Sequence, residues 1–373
     1  MYNEYINELP SHKRLIIIGD IHGDIRRFKN ILVNAKVINN NLEWIAEPPE
    51  TVIIQLGDQI DSLNRTTTEE WEVLKDYEMI YFTDYLNLIA RAKGGYCISL
   101  IGNHELMNVI GDIHGDIRRF KNILVEAKVI NNDLEWIADP PETIIIQLGD
   151  QIDSLNRLTN IEWEVLKDYE MIYFTDYLNL IAKAKGGYCI SLIGNHELMN
   201  VIGDFSYVSK NSICDMRTKL FKPKGSIALL LAKRPLIFKI DDLLFCHAKL
   251  NSNHLKLLKK YNKDIFYLNE LWRNYLENEK INIEDKEIID EILIGSNGIL
   301  WNRLENDKYL TDELFKELNI TYMFVGHTSY DKILLKDNQI WYCDTGISRA
   351  FGKKSYQYLD IKKNIINIQT VND

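Results

Sequence analysis

The first half of the chain alternates short apolar runs with a longer amphipathic stretch. The runs lie within residues 14–20, 51–58 and 96–103, are rich in Ile and Val or end in Leu-Ile, and close on Gly followed by a polar residue. Runs of this kind are typical of buried parallel strands. Residues 71–95 have helical spacing of their apolar positions and stop at a Gly pair. The pattern therefore predicts an α/β unit.

This pattern then occurs a second time almost unchanged. Residues 19–110, the first repeat, align with residues 111–202, the second repeat, and differ at eight of 92 positions. Solenoid repeats have periods of roughly 20–50 residues and diverge far more, so this is not a solenoid. Ile-Gly-Asp stands at 18–20, 110–112 and 202–204, as a tandem duplication would leave at its joins. Without one copy, the 373-residue chain would have the size of an ordinary single domain.

The unduplicated C-terminal part adds further predicted elements. Apolar runs within residues 243–250, 321–328 and 340–348 predict three more strands. Residues 277–291 are acidic and proline-free, which predicts a solvated helix or cap. Two histidines, His12 and His254, match no motif and are interpreted as surface residues.

Composition narrows the class of protein. The chain is 46% hydrophobic with a formal net charge of −10, which favours a globular protein and disfavours nucleic acid or an anionic membrane as partner. No apolar run approaches the roughly 20 residues of a membrane span, and the polar start does not resemble a signal peptide. We therefore expect a cytoplasmic protein. Its five cysteines form neither a metal-spacing pair nor a disulfide framework and are interpreted as reduced packing residues.

The residues that carry chemistry follow the predicted strands. Each repeat contains GDIHGD, GDQID and GNHE, and the C-terminal part adds His247 in FCHAKL and His327 in VGHT. Carboxylate, imidazole and amide oxygen together suit hard or borderline divalent ions such as Mn, Fe or Zn. One Asp that bridges, with separate ligands for each ion, fits two metal ions about 3.5–4 Å apart.

In this order the motifs resemble the calcineurin-like metallophosphoesterases, and among them the serine/threonine protein phosphatases. The Shewanella-like phosphatases are the most similar group, because GNHE continues as GNHELMNVIGD and because LWNR at 300–303 and DTGIS at 344–348 also match. The resemblance implies a metallophosphoesterase fold, an α/β β-sandwich flanked by helices. The duplication adds a partial α/β unit to it.

The resemblance also implies roles for individual residues. Two divalent metal ions would be held by Asp112, His114, Asp150, Asn195, His247 and His327, with Asp150 bridging. A hydroxide bound between the ions would attack phosphorus in line. His196 would protonate or stabilise the leaving oxygen, Asp153 would orient His196, and Arg303 would neutralise the phosphoryl oxygens. In the first repeat the alternative ligands are Asp20, His22, Asp58 and Asn103, and the alternative catalytic pair is His104 with Asp61.

Two departures from the family pattern concern positive charge at the site. Ser154 follows Asp153 where the family has a phosphate-gripping Arg. The family's HGG is His-Ala-Lys at residues 247–249, so Lys249 either replaces the lost cation or marks an impaired site. Arg157 is interpreted as a loop or helix-start charge.

The C-terminal histidines are present once, so the site is completed by the second repeat, by the first repeat, or by the first strand of one repeat with the later motifs of the other. If the second repeat does so, residues 1–110 are an N-terminal partial unit and residues 111–373 the catalytic domain. This places Asn108 in a central strand, where a buried and unpaired polar side chain costs roughly 1–3 kcal/mol of stability. If the first repeat does so, residues 111–202 become an insertion into one domain, whose loop closure costs about 4 kcal/mol. Contiguity with His247 and His327 favours the second repeat.

The resulting functional hypothesis is a phosphoric monoester hydrolase acting on phosphoprotein or on a small phosphoester. A dinucleoside polyphosphate hydrolase uses the same kind of site, and a non-catalytic metal-binding pseudophosphatase would also retain the ligands. The unused repeat makes a domain-swapped dimer an alternative to an inert appendage.

Overall fold

The computed structural model describes residues 14–19, 21, 24–55, 79, 82–83, 85–99, 106–153, 161–277, 280–303, 308–362 and 365–373. Residues 98–99, 161–167, 211 and 308–310 are described by their backbone alone. Several residues singled out from the sequence lie outside the described part: His12, Asp20, His22, Asp58, Asp61, Asn103, His104, Ser154 and Arg157. The chain divides into two compact units, Met1–Leu106 with Lys362–Asn364, and Met107–Ile361 with Ile365–Asp373.

The first unit contains a three-stranded parallel sheet. Its strands are β1 (Arg14–Ile18), β2 (Thr51–Gln55) and β3 (Tyr96–Ser99), in that order, with helix α1 (Ile25–Asn34) between the first two. Helix α1 packs on this sheet through buried side chains that include Ile18, Phe28, Leu32 and Ile53. The three strands lie within the apolar runs at residues 14–20, 51–58 and 96–103 that predicted them.

The second unit begins with elements that repeat the strand, helix and strand order of β1, α1 and β2 and then continue it. These are β4 (Leu106–Ile110), α2 (Ile117–Glu126), β5 (Ile144–Gln147), α3 (Ile161–Lys183), β6 (Tyr188–Ser191) and α4 (Asn195–Ile202). The parallel register of β4 on β5 reproduces that of β1 on β2 with an offset of one repeat, since Met107 pairs with Ile144 as Leu15 pairs with Val52.

The C-terminal part of this unit supplies further helices and a second sheet. Its helices are α5 (Asp215–Phe221), α6 (Ser226–Leu231), α7 (Ser252–Lys260), α8 (Tyr267–Leu276), α9 (Ile283–Ile288) and α10 (Lys308–Leu318). Its strands are β7 (Ile237–Ile240), β8 (Leu243–Cys246), β9 (Tyr322–Val325), β10 (Leu334–Lys336), β11 (Ile340–Tyr342), β12 (Ser355–Lys362) and β13 (Ile365–Asn372).

The unit has two five-stranded sheets. One has the strand order β13-β12-β4-β5-β6 and the other β10-β11-β9-β8-β7. Helices α2 and α3 cover one face of the first sheet, where Phe120, Ile123, Met171 and Phe174 pack with Ile145. The predicted α/β class with a β-sandwich flanked by helices is confirmed.

The acidic stretch predicted as a solvated helix is helical but only half exposed. Helix α9 continues as a π-helical segment, Ile289–Ile294, and buries Ile288, Ile289 and Ile292 in the core. Glu284, Asp290 and Glu291 are exposed, whereas Asp285 is buried. Within the described part of the chain, no helix combines the length and apolarity needed to cross a lipid bilayer.

One pentapeptide, LMNVI, adopts two structures in this chain. At residues 106–110 it is strand β4, and at residues 198–202 it is the end of helix α4. As a strand it places Asn108 opposite Ile145, 1% exposed, and the side-chain Oδ1 of Asn108 makes no hydrogen bond among the described residues. In the helix, both side-chain atoms of Asn200 are paired.

Replacing Asn108 by Ile, the residue at the matching position of β1, is expected to stabilise the protein. The change removes a buried unpaired oxygen and adds apolar contact, which together correspond to about 1–2 kcal/mol in the free energy of unfolding. Urea denaturation measures it. The matched control is Asn200→Ile, which unpairs the partners of Asn200 and should destabilise by about 1–3 kcal/mol. Equal effects of the two changes would contradict the assignment of LMNVI to two structures.

Candidate metal centre

The polar side chains of the motifs converge where strands end. Asp112 and His114 follow β4, Asp150 and Asp153 follow β5, and Asn195 begins α4 after β6; His196, His247 and His327 complete the set, the last two after β8 and β9. Because β4, β5 and β6 are parallel, as are β8 and β9, their carboxyl ends lie at a common edge of each sheet. The structure thus brings together all eight of these predicted residues of the second repeat and the C-terminal part.

Four of these residues have backbone conformations that are rare outside glycine. His114, Asp150, Asp153 and His327 have φ of 48°, 49°, 67° and 62°. Strained residues of this kind occur where surrounding structure fixes them, and they cluster at functional sites. The resemblance assigns three of them to a metal and Asp153 to the orientation of His196.

Two groups of potential metal ligands share Asp150. One consists of His114, Asp150 and His196, the other of Asp150, His247 and His327, and within each group the ligand atoms lie within 4.8 Å of one another. The shared carboxylate is the arrangement that a bridged pair of ions requires. Asp112, which the resemblance assigns to the first ion, accepts the backbone N–H of His327 at 3.0 and 3.2 Å.

Asn195 completes the second group. Its Oδ1 lies 2.9 Å from Nε2 of His247 and 2.8 Å from Nδ1 of His327, so three ligand atoms point at one another. The other ring nitrogen of His247 lies 2.8 Å from the carbonyl oxygen of Leu148, and Nδ1 of His114 lies 3.1 Å from that of Asp153. Such carbonyl contacts fix a histidine tautomer and leave the opposite nitrogen for a metal.

The charge of the site is unbalanced without a cation. Burial, with Asp344 and Asp150 nearby, holds the pKa of Asp112 well above its ordinary value. Burial raises the pKa of Asp344 to about 6, with Asp150 adding to the effect. Burial opposes ionisation of Asp150 as well, but His247 and His196 keep its pKa well below the ordinary value. A set of buried carboxylates that repel one another is the environment that a bound cation stabilises.

Two imidazoles are held in the neutral form that binds metals. Burial and, to a smaller extent, the neighbouring His196 lower the pKa of His114 to about 4. Burial and His247 lower the pKa of His327 to about 3. Because a metal displaces the proton of its histidine ligand, a low pKa favours binding at neutral pH.

His196, unlike His114 and His327, is held in the protonated form. Burial disfavours its charged form, yet Asp150 and Asp153 raise its pKa to about 9. Nδ1 lies 3.4 Å from Oδ2 of Asp153, and Nε2 lies 3.8 Å from Oδ2 of Asp150. A proton held at neutral pH is what a group that protonates a leaving oxygen needs.

Glu197 is a site residue to which sequence reasoning gave no role. Its Oε2 accepts the backbone N–H groups of Asp150 at 3.0 Å and Gly194 at 2.8 Å, and its Oε1 accepts that of Gln151 at 2.8 Å. One fully buried carboxylate therefore joins the loop after β5 to the start of α4. Glu197 is the last residue of the GNHE motif, but the sequence did not indicate its role, because the backbone N–H groups that it binds in the β5 loop lie 46 and 47 residues away.

A cavity of about 730 Å³ opens over the ligand groups. Arg303, also predicted from the sequence, lines it and donates from Nε to Nε2 of His327 at 3.0 Å. Three aromatic rings form its walls: Tyr207 at 5.1 Å from the ring of His196, Phe351 at 5.7 Å from that of His114, and Trp301 at 6.3 Å from that of His327. The aromatic walls were not foreseen, because they come from three loops without a shared motif.

Lys249, one candidate for the missing cation, does not line this cavity. It is buried, and its Nζ lies 5.9 Å from the centre of the Tyr342 ring. The cation that the cavity does contain among the described residues is Arg303.

His254 was interpreted as a surface residue, and this is wrong. It is buried, its Nε2 lies 2.9 Å from the carbonyl oxygen of Asn297, and Nδ1 receives the backbone N–H of Asn251, the N-cap of α7. It thereby holds the loop that carries Ser296, a cavity-lining residue. Sequence could not show this, because the partner is a backbone carbonyl 43 residues away.

This buried histidine predicts a pH dependence of stability. Burial lowers the pKa of His254 to about 4, below its ordinary 6.5, so the unfolded chain takes up the proton first as the pH falls. Its stabilisation is fully present above pH 6.5 and is lost towards pH 4. Between pH 7 and 4.5, the metal-free wild type should lose about 2–3 kcal/mol more unfolding free energy than His254→Gln. Denaturation in chelator at both pH values tests this; parallel losses would contradict it.

The family model described as calcineurin-like phosphoesterase matches residues 13–108 and 107–331. Shewanella-like protein phosphatase 1 of Plasmodium berghei is 28% identical over 281 residues, covering 68% of this chain and 70% of the relative. Shewanella-like protein phosphatase 2 of Arabidopsis thaliana is 30% identical over 109 residues, covering 29% and 25%. A solved cold-active protein tyrosine phosphatase superposes with a TM-score of 0.59 at 23% identity, covering 73% of this chain and 81% of that one.

Proposed function

The chain belongs to the calcineurin-like phosphoesterase family, and from that premise we propose that it is a phosphoprotein phosphatase that hydrolyses serine and threonine phosphomonoesters with two divalent cations. The family makes it a hydrolase of phosphoesters. The observation that supports the finer proposal is the pair of ligand groups that share buried Asp150 below a cavity lined by His196 and Arg303.

The residues fit two cations by their chemistry. Oxygen and imidazole donors suit Mn, Fe or Zn, and the mutually repelling carboxylates of Asp112, Asp150 and Asp344 need positive charge. Asp112, His114 and Asp150 would hold one cation, and Asp150, Asn195, His247 and His327 the other. When bound, such a pair of cations supplies a nucleophile at neutral pH from water and Lewis-acid stabilisation of the phosphoryl group.

The chain's own residues have distinct tasks in this proposal. His196 carries a proton at Nε2 towards the leaving oxygen, and Asp153 holds the imidazole from the side of Nδ1. Arg303 binds phosphoryl oxygens, which a planar guanidinium recognises with two parallel hydrogen bonds. Glu197 keeps the two ligand loops in register.

A second candidate substrate class is an aryl phosphomonoester such as phosphotyrosine. The rings of Tyr207, Trp301 and Phe351 line the cavity, and aromatic rings pack favourably on an aromatic substrate. Serine and threonine phosphates offer no such surface. A dinucleoside polyphosphate or a purely metal-binding role remains the alternative from other classes.

The test compares substrates on one preparation in manganese. Phosphoserine, phosphothreonine and phosphotyrosine peptides with the same flanking residues are assayed for phosphate release, alongside a dinucleoside tetraphosphate. Faster release from the serine or threonine peptides supports the proposal, and faster release from the tyrosine peptide supports the aryl candidate. Cleavage of the tetraphosphate alone, or metal binding without release, contradicts both.

A further inference from the structure

We propose that Arg217 is a positioning residue of the catalytic reaction, which sets Asp153 against His196 from the far side of the site. This inference rests on the proposed function, because it assumes that His196 assists the leaving group. Arg217 lies in α5, outside every motif that the sequence analysis used.

Arg217 is fully buried and contacts the catalytic carboxylate directly. Its Nη2 donates to Oδ1 of Asp153, and its Nη1 donates to Oδ2 of Asp168 at 2.9 Å. Its Nε donates to Oδ1 of Asn200 at 2.7 Å. All three sides of the guanidinium fork are thus occupied by oxygen acceptors, which fixes its orientation.

Asn200 transmits the same constraint to the second oxygen of Asp153. Its Nδ2 donates to Oδ2 of Asp153 at 2.5 Å and to the backbone carbonyl of His196 at 2.9 Å. Oδ2 of Asp153 is also the atom that lies 3.4 Å from Nδ1 of His196. Arg217 and Asn200 therefore determine which way the carboxylate faces, and the carboxylate determines which way the imidazole faces.

The first repeat has no equivalent of this arrangement in its own sequence. Arg217 lies beyond the second repeat and occurs once, whereas Asp153 and Asn200 have repeat counterparts. The counterpart of Asn200 is Asn108, which is built into strand β4. The helix that Asn200 needs exists where GNHE runs on into α4, one turn after His196.

A structural role alone predicts a different experimental result. Loss of a buried arginine destabilises any protein, because its carboxylate partners are left unpaired. Loss of a positioning residue acts on the proton transfer to the leaving oxygen, which matters more for a poor leaving group than for a good one. The dependence of turnover on the leaving group therefore separates the two roles.

The experiment measures kcat and KM of Arg217→Met on phenyl phosphate and on 4-nitrophenyl phosphate, with bound metal counted. We expect kcat to fall by about 100-fold or more on phenyl phosphate and less than about tenfold on 4-nitrophenyl phosphate, the better leaving group. KM and metal content should match the wild type. Arg217→Met combined with Asp168→Asn removes the second unpaired carboxylate and provides a variant that folds if the single one does not.

The matched control is Arg234→Met. Arg234 is a second buried arginine, bonded to the side chain of Gln151 and to Ile172, Thr175 and Asp176 but not to Asp153 or His196. Its loss should lower stability, and any loss of activity should be equal on the two substrates. Equal losses on both substrates in the Arg217 variants overturn the inference. If the wild type is inactive on both substrates, the proposed function is contradicted instead. If the wild type is active and His196→Asn shows the leaving-group effect but Arg217→Met does not, the inference alone is overturned.

Discussion

Replacing Asp150 by Asn is expected to abolish both turnover and metal binding. Asp150 is common to both ligand groups, and an amide carries no charge to replace the carboxylate between two cations. Lewis-acid stabilisation of several kcal/mol corresponds to roughly a thousandfold in kcat, so activity should fall by at least that factor. Manganese-dependent hydrolysis of 4-nitrophenyl phosphate and metal content per chain are measured on the same sample.

The duplication provides the control for this experiment. Asp58→Asn makes the same change at the matching position of the first repeat. If the second repeat forms the site, Asp58→Asn retains wild-type metal and turnover. The reverse result, with Asp150→Asn active and Asp58→Asn inactive, would assign catalysis to the first repeat.

Replacing His196 by Asn should remove turnover and leave metal binding intact. The loss of a proton donor to the leaving oxygen corresponds to about 10²–10⁴-fold in kcat. Asparagine keeps the backbone N–H that His196 donates to Oδ1 of Asp150 at 2.9 Å, so the bridging carboxylate stays in place. Activity on phenyl phosphate should fall more than activity on 4-nitrophenyl phosphate.

This experiment also separates two kinds of role. In the structure His196 belongs to one of the two ligand groups, whereas the resemblance makes it an acid that holds no metal. Loss of one metal ion per chain in His196→Asn would make it a ligand, and full activity would remove it from the mechanism. His104→Asn, the same change in the first repeat, serves as the control.

The stability of the site is expected to depend on Glu197 more than on any single ligand. Its carboxylate accepts hydrogen bonds from three backbone N–H groups of two loops and is completely buried. Conversion to Gln puts a donor where an acceptor is needed and should destabilise the metal-free protein by about 1–3 kcal/mol. Thermal or urea unfolding in chelator measures this, and an unchanged midpoint would show that the loops are held by other contacts.

Sequence reasoning was most successful where chemistry is carried by short motifs. The order of GDIHGD, GDQID, GNHE, FCHAKL and VGHT led to the family and the fold, and both are confirmed. The same motifs named the residues that the structure brings together, although their roles as ligands and catalysts stay predictions. Motifs succeed because metal ligands must follow strand ends at fixed short spacing, which leaves a local trace.

Contacts between distant segments left no such trace. Arg217 bonds Asp153, 64 residues away, and His254 contacts Asn297, 43 residues away, and neither residue stands in a motif. Lys249, which the sequence placed beside the site, points at Tyr342 instead. The choice of repeat, the domain boundary and the domain-swapped dimer stay predictions, since their decisive residues in the first repeat lie outside the described part.

The sequence by itself determined the family, the fold class and the residues that gather at the site, because these depend on which residues stand at strand ends. It could not determine the structure of LMNVI, since the five letters are the same at 106–110 and 198–202. Tertiary contacts decided it. At residues 106–110 the segment pairs with the neighbouring strands β12 and β5 and forms β4. At residues 198–202 it continues α4, where Glu197 caps the start of the helix and Asn200 pairs with Asp153 and Arg217. Local propensity is identical in both places, so the difference comes from what each copy packs against.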